Sequence, residues 1–347
     1  MKFKYILLLV LVLITVFVGG YSDVEKSVDM NVIIRANDDP NNFHFVIMGD
    51  RTGKEQVGVF SDIITKVNLM EPAFVLSVGN SIQGYTEDVN IINDEWDEFD
   101  EIISYLKIPF FKIAGNHDVS NQTMVGIYKQ RYGRLYYHFT YRNVLFLFMD
   151  TDDPSAAIDS EVEKELDKEY KKLKDMISTQ GNTQETMDFL KQYEEKRRNM
   201  AGGKISDEQY DYFKEVLEEN TDVRWTFVLV HKPLWKQSSP PETWIKIEQL
   251  LSNRNYTVIA GHEHRHQYEI RNNRDYITMG TCGGGWIWPK TMPGVYHHIL
   301  WVTMNDTEPV ITNILTDGIM EKTDIRACKN IGPLWNKEFW HETSMQH

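Results

Sequence analysis

His262 and His264 stand one residue apart, directly after Gly261, at the end of an apolar run from Tyr256 to Ala260. Imidazoles ligate divalent transition metals, a strand end holds them rigidly, and the glycine lets the backbone turn sharply. Arg265 and His266 follow, so a histidine-rich surface turn is the plain alternative for this stretch alone. Four further apolar runs end in ligand-type residues. They lead into Asp50 of Gly49-Asp50-Arg51-Thr52-Gly53, Asn80 of Gly79-Asn80-Ser81, the tetrapeptide Gly115-Asn116-His117-Asp118, and His231 of His231-Lys232-Pro233. Buried histidines and asparagines often serve only as satisfied core polar groups; five coincident strand ends weigh against that reading here.

The runs that position these residues read as buried strands separated by helices. Phe43 to Met48, Phe74 to Val78 and Phe110 to Ala114 are mostly apolar and of strand length. Between them Val57, Phe60, Ile63, Ile64 and Val67 share one helical face, and Trp96, Phe99, Ile102, Ile103 and Leu106 share another; Pro72 and Pro109 close the two patterns. Tyr136 to Tyr141 and Val144 to Met149 predict an antiparallel hairpin around Arg142-Asn143. Trp225 to Val230, a helix from Trp244 to Leu251, and Tyr256 to Ala260 resume the alternation. This rhythm predicts an α/β layer fold with polar residues gathered at the C-terminal strand ends. Strands at Gln267 to Arg271, Tyr276 to Met279, Ile299 to Met304 and Val310 to Leu315 are expected to form a second, largely antiparallel sheet packed on the first.

Residues 159–200 interrupt the rhythm with a charged segment. Val162, Leu166, Tyr170, Leu173 and Met176 fall on one helical face, and Met187, Leu190 and Tyr193 on another, around Gln180-Gly181-Asn182. This predicts an inserted helical hairpin whose second helix is capped by Asn182 with Glu185. A solvated insert is the plain reading; a lid or partner surface is the functional one. Ser206-Asp207-Glu208-Gln209 is a capping box for the next helix, with Tyr210, Phe213 and Leu217 inward.

The N-terminus carries Lys2 and Lys4, an apolar run from Tyr5 to Val18, and then Gly19-Gly20-Tyr21-Ser22. That is the pattern of an export signal over residues 1–22, short for a membrane span, with an uncleaved anchor as the alternative. The expected location is periplasmic or extracellular, with membrane attachment only through this segment. The folded part is expected from 31 to 324, and residues 325–347 form an uninformative tail. At 347 residues the chain is ample for a core, and a net charge of −14 argues against a broad nucleic-acid surface. Its two cysteines, Cys282 and Cys328, allow one disulfide and no cysteine metal motif.

The order of motifs resembles the calcineurin-like metallophosphoesterase superfamily from about Phe43 to Leu315, outside the helical insert. Gly115-Asn116-His117-Asp118, Gly261-His262-Glu263-His264 and the late His231 carry the resemblance, and the Gly49-Asp50-Arg51-Thr52-Gly53 form looks like a bacterial exported branch. The resemblance implies a four-layer α/β/β/α sandwich and hydrolysis of a phosphomonoester or phosphodiester by a metal-activated water. It implies one metal on Asp50 and His264, another on Asn116, His231 and His262, a bridge at Asn80, and His117 as proton donor held by Asp118. Two cations clamp a phosphoryl oxygen, lower the pKa of a bridging water and offset charge on the leaving oxygen. One or two divalent ions of Zn, Mn or Fe suit such nitrogen and oxygen donors.

The chain departs from that pattern twice. Thr52 stands where a histidine is usual, and Asn80 where a bridging aspartate is usual. An amide offers one neutral oxygen and an NH2 group that cannot coordinate, so the first metal position is depleted and the second intact. An active phosphoesterase with one tight metal and a non-catalytic binding protein both follow from this. Arg51 either binds a substrate phosphate or pairs with a nearby carboxylate. Cys282, Trp286, Trp288, His297 and His298 take structural readings first, with ring stacking on a substrate as the alternative for the tryptophans. The pocket is expected around Tyr85, Tyr128, Trp235 and Trp286.

Overall fold

The computed structural model describes residues 42–155, 160–286, 288–290, 292–315 and 318–321. The expected export signal at 1–22, the expected start of the fold at Asn31, and the tail at 325–347 with Cys328 lie outside the described residues. In chain order the first half forms β1 (Phe43–Met48), α1 (Val59–Met70), β2 (Val75–Ser77), α2 (Val89–Ser104), β3 (Phe110–Lys112), α3 (Gln122–Tyr132), β4 (Tyr137–Tyr141) and β5 (Val144–Met149). Next come α4 (Ser160–Gln180), α5 (Gln184–Met200), α6 (Asp207–Glu219), β6 (Trp225–Val230), α7 (Glu242–Leu251) and β7 (Tyr256–Ala260). The chain continues through β8 (Gln267–Arg271), β9 (Arg274–Thr278), β10 (His298–Met304), β11 (Pro309–Leu315) and β12 (Gly318–Glu321).

These strands make two six-stranded mixed sheets, β12-β11-β10-β1-β2-β3 and β4-β5-β6-β7-β9-β8. The strands that carry the motifs run parallel in each, β1 beside β2 and β3, and β5 beside β6 and β7. Parallel pairing brings their C-terminal ends to one edge. The late strands do not form a sheet of their own, contrary to the expectation from sequence. β9 pairs with β7 and β8 with β9, while β10 lies antiparallel on β1 with Val46 opposite Trp301. Pairing partners depend on where the chain crosses over, which alternation of apolar residues does not encode.

Three apolar layers hold the sandwich. Phe45, Phe74, Phe146, Phe227 and Leu300 lie among the residues between the sheets. Phe60, Ile64, Trp96, Phe99 and Tyr128 fill the space between the first sheet and α1 to α3. Phe213, Leu217, Trp244 and Leu251 of α6 and α7 cover the other sheet. The result is the four-layer α/β/β/α arrangement. Val57 precedes α1 and is exposed. The helix α3 and strand β12 carry weak periodicity and are not foreseen in the sequence.

Local signals hold in most places. The β4–β5 hairpin turns through Arg142 and Asn143, both with positive φ (47° and 61°), which suits the right-handed twist of its strands. Ser206 caps α6 by accepting from Gln209 N–H at 3.2 Å, but the Gln209 side chain turns to the Asp150 backbone instead of closing the box. The cap of α5 is Thr183, accepting from Thr186 N–H at 3.3 Å, and not Asn182.

Phe74 is fully buried, with ring centroids of Phe43, Phe45, Phe111, Phe139, Tyr141 and Phe146 at 5.2–6.1 Å. Phe74→Ala is expected to destabilise the chain by about 3–5 kcal/mol, read as a lowered urea midpoint.

Candidate active site

Each parallel strand ends in a tight turn, and four of the predicted residues sit on left-handed backbone there: Asp50 (φ 52°), Asn80 (60°), His262 (70°) and His264 (53°). Such conformations are uncommon for histidine and are held by the surrounding bonds. Asp50 Oδ2 accepts from His262 N–H at 2.9 Å, and Oδ1 accepts from Asn80 Nδ2–H at 3.0 Å. Asn80 Oδ1 accepts from His117 N–H at 3.1 Å. Gly115 and Gly261 allow this closeness. A Cβ on Gly115 would stand 2.3 Å from Asn80 Oδ1, and one on Gly261 2.4 Å from Asp50 Oδ2.

Asp118 lies beneath, fully buried. Its carboxylate accepts from the backbone N–H groups of Gly115, Asn80, Ser81 and Ile82 at 2.8–3.1 Å. Burial raises its pKa and these donors oppose the rise without cancelling it. Asp118 therefore binds two turns together and does not hold the His117 ring. That ring is held at Nδ1 by Gln83 O at 2.6 Å. Burial pushes His117 down to about 4, so at neutral pH the ring carries its proton toward Gln83 and leaves Nε2 for the cavity.

Arg51 is also placed otherwise than as a phosphate ligand. Its guanidinium is buried, donating to Glu55 at 3.2 Å, Glu98 at 2.7 Å and Ser81 O at 3.2 Å. Thr52 Oγ1 donates to Ile82 O at 2.7 Å. Cys282 is buried beside Gly49 N and His298 O, and His298 bonds Gly280 and Asn313.

Three donors converge beside this group. Asn116 Oδ1 lies 2.8 Å from both His231 Nε2 and His262 Nδ1. His231 Nδ1 is held by Val78 O at 2.7 Å, which leaves Nε2 facing the Asn116 oxygen. His262 Nε2 accepts from Arg197 Nη1 at 3.1 Å, which puts its ring proton on Nδ1. A cavity of about 290 Å³ opens over these residues, lined also by Lys54, His117, His264, Glu263 and Trp286. Tyr170, Tyr193 and Arg197 line it from above, and they belong to α4 and α5. The insert is thus the roof of the site and not a hairpin standing in solvent. Its apolar stripe packs on Trp288 and Val295 of the loop before β10. Of the four aromatics expected around the pocket, Trp286 lines it and Tyr85 holds Asn116 through its hydroxyl, whereas Tyr128 and Trp235 are core residues.

A family model described as calcineurin-like phosphoesterase matches residues 21–266. The chain belongs to that family. No curated protein matches it. Among solved structures, a dimetal phosphatase from Danio rerio aligns with 82% of this chain and 100% of its own, at 14% identity and a TM-score of 0.54. A structure named PhoD aligns over 82% and 72%, at 10% identity and a TM-score of 0.50. At these identities the likeness is one of fold.

Calcineurin-like phosphoesterases generally use divalent metals, and the donors of this member fit one such ion better than two. At Asn116, His231 and His262, one amide oxygen lies 2.8 Å from each of two imidazole nitrogens, a set of oxygen and nitrogen atoms that one cation can share. At Asp50 and His264 the fit is poor. Asn80 turns its NH2 toward Asp50 and its oxygen already accepts from His117 N–H, so it offers an ion at most one lone pair of a neutral oxygen and no anionic bridge.

His264 Nε2 stands 3.2 Å from Asp50 Oδ1, and Nδ1 lies 2.5 Å from Gly285 O. Both neighbours are acceptors, so the ring is satisfied with both nitrogens protonated. Burial lowers the His264 pKa, but the Asp50 charge and hydrogen bond outweigh it and the net shift is upward. Burial raises the Asp50 pKa, and the His264 charge and bond outweigh that in turn, leaving it lowered. The stability from His264 is present below its ordinary 6.5 and lost as pH rises through its raised value; that from Asp50 is present above its ordinary 3.8 and lost as pH falls through its lowered value. Chelator-treated wild type and His264→Gln, compared by urea unfolding across pH, are therefore expected to differ most between 3.8 and 6.5 and to converge on either side.

Proposed function

We propose that this chain is an exported phosphoesterase that works with one tightly held divalent ion. The observation that carries the proposal is the convergence of Asn116 Oδ1, His231 Nε2 and His262 Nδ1, with His231 buried behind a cavity that Asn116, His262 and His117 line. Asn116, His231 and His262 would hold the ion, which supplies Lewis acidity to a phosphoryl oxygen and acidifies a water. His117 would pass a proton from Nε2 to the leaving oxygen. Negative charge arriving in the cavity favours the protonated ring, against the burial that otherwise keeps it neutral. Export is inferred from the charged and apolar pattern of residues 1–22. The engagement of both ends of the Asn80 amide favours a second reading, binding of a phosphoester without turnover.

Elemental analysis of the chain purified without chelator, followed by assays on phosphomonoesters and phosphodiesters, separates the two. One equivalent of Zn, Mn or Fe with measurable hydrolysis is expected. No metal after supplementation, and no hydrolysis, would sink the enzyme reading. Asn80→Asp places an anionic bridge beside Asp50 and is expected to raise the metal content toward two equivalents, with a gain in turnover.

A further inference from the structure

Two residues that line the cavity, Arg197 and Trp286, carry buried N–H donors for which the described residues offer no acceptor. Arg197 Nη1 donates to His262 Nε2 at 3.1 Å and Nη2 faces Glu194 Oε2 at 3.4 Å, while its buried Nε has no partner among the described residues. Trp286, on the cavity wall, likewise has a buried Nε1–H without a partner among the described residues. Lys54 lines the same cavity, with Nζ bonded to the Tyr170 hydroxyl and 4.5 Å from the centre of its ring. Buried donors left unpaired are unfavourable. The ligand that fits them brings acceptor oxygens.

Nearby acids do not reverse this preference. Glu263 also lines the cavity, but Arg198 at 2.9 Å and Lys236 at 3.1 Å offset its charge. Glu194 is buried against Arg197 and Arg198. The single bond that now occupies Arg197 Nη1 is also conditional. A cation on His262 Nδ1 leaves the ring proton on Nε2, so two donors would face each other there. Arg197 then lacks its acceptor, and an oxyanion in the cavity provides one. A guanidinium is suited to that task because its planar fork matches phosphate oxygens.

We propose that Arg197 of the helical insert, together with Lys54 and the Nε1–H of Trp286, binds the phosphoryl group of a small phosphomonoester. The insert thereby supplies positive charge that the amide at position 80 denies to a second metal. A cavity of about 290 Å³ with Tyr170, Tyr193 and Trp286 in its walls has room for a phosphoryl group and one small or ring-bearing substituent. This rests on the phosphoester reading for its chemistry, but binding is separable from turnover.

The test is titration calorimetry of orthophosphate into the full chain, with metal content measured on the same samples. Arg197→Ala is expected to weaken phosphate binding by about 10- to 100-fold with metal content unchanged. Arg197→Lys should recover part of the loss, since it keeps the charge without the fork, and Trp286→Phe should weaken binding a few-fold. A wild-type chain that binds no orthophosphate, or an Arg197→Ala chain that binds it equally well, overturns the proposal. So does loss of metal in parallel with phosphate, which would make Arg197 a support for the metal ligands. Should Arg197→Ala fail to fold because the buried Glu194 loses its nearer partner, Lys54→Ala and Trp286→Phe decide, and no change in either overturns it. A chain without hydrolytic activity that still shows Arg197-dependent affinity keeps this proposal and removes the enzymatic one.

Discussion

A buried carboxylate fixes the geometry on which the rest of the site depends. Asp118 receives four backbone N–H groups from two turns that follow different strands of one sheet. The turn after β2 carries Asn80, and the turn after β3 carries Asn116 and His117. Each turn exposes amides that its own strand cannot satisfy, and the carboxylate satisfies both sets at once. The distance between Asn80 and His117 is set in this way, and through Asn80 so is the position of Asp50. The second sheet adds His231, His262 and His264 from its own strand ends. Their placement relies on the aromatic layer between the sheets.

The amide at position 80 redistributes charge around this frame. A carboxylate there would repel Asp50 unless a cation lay between them. The amide instead donates to Asp50, which finds its counter-charge in His264. The site is therefore internally neutralised on the Asp50 side, while Asn116, His231 and His262 converge on the other. Positive charge enters from the roof, where Arg197 and Arg198 meet Glu194 and Glu263.

The strand ends are legible in the sequence because two simple signals coincide there, an apolar run of strand length and a ligand-type residue after a glycine. Asp50, Asn80, Asn116, His117, His231, His262 and His264 meet in space as their spacing suggests. Arg51 misleads because adjacency to Asp50 in sequence says nothing about the side of the strand end it leaves from. Asp118 misleads in another way: its carboxylate answers backbone amides, which no residue pattern displays. Arg197 is not legible. It lies in Glu194-Glu195-Lys196-Arg197-Arg198, a run that any exposed helix could carry, and only its contact with His262 separates it from its neighbours. The available hint is the apolar stripe of Leu166, Leu173, Leu190 and Tyr193, which needs something to cover. The sheet assignment of β8 to β11 fails for the same reason, since long-range pairing leaves no local trace.

The roof is attached to the sandwich at a narrow neck. Asp152 and Lys204 bridge to each other, Lys204 N–H donates to Thr151 O, and Ser206 reaches across to Asp153. The chain leaves and re-enters the core at almost one point, with about fifty residues hung between. A segment joined in this manner can be lengthened, shortened or exchanged without disturbing a single strand. The side chains that the insert gives the cavity can thereby change while the strand-end residues beneath it stay the same.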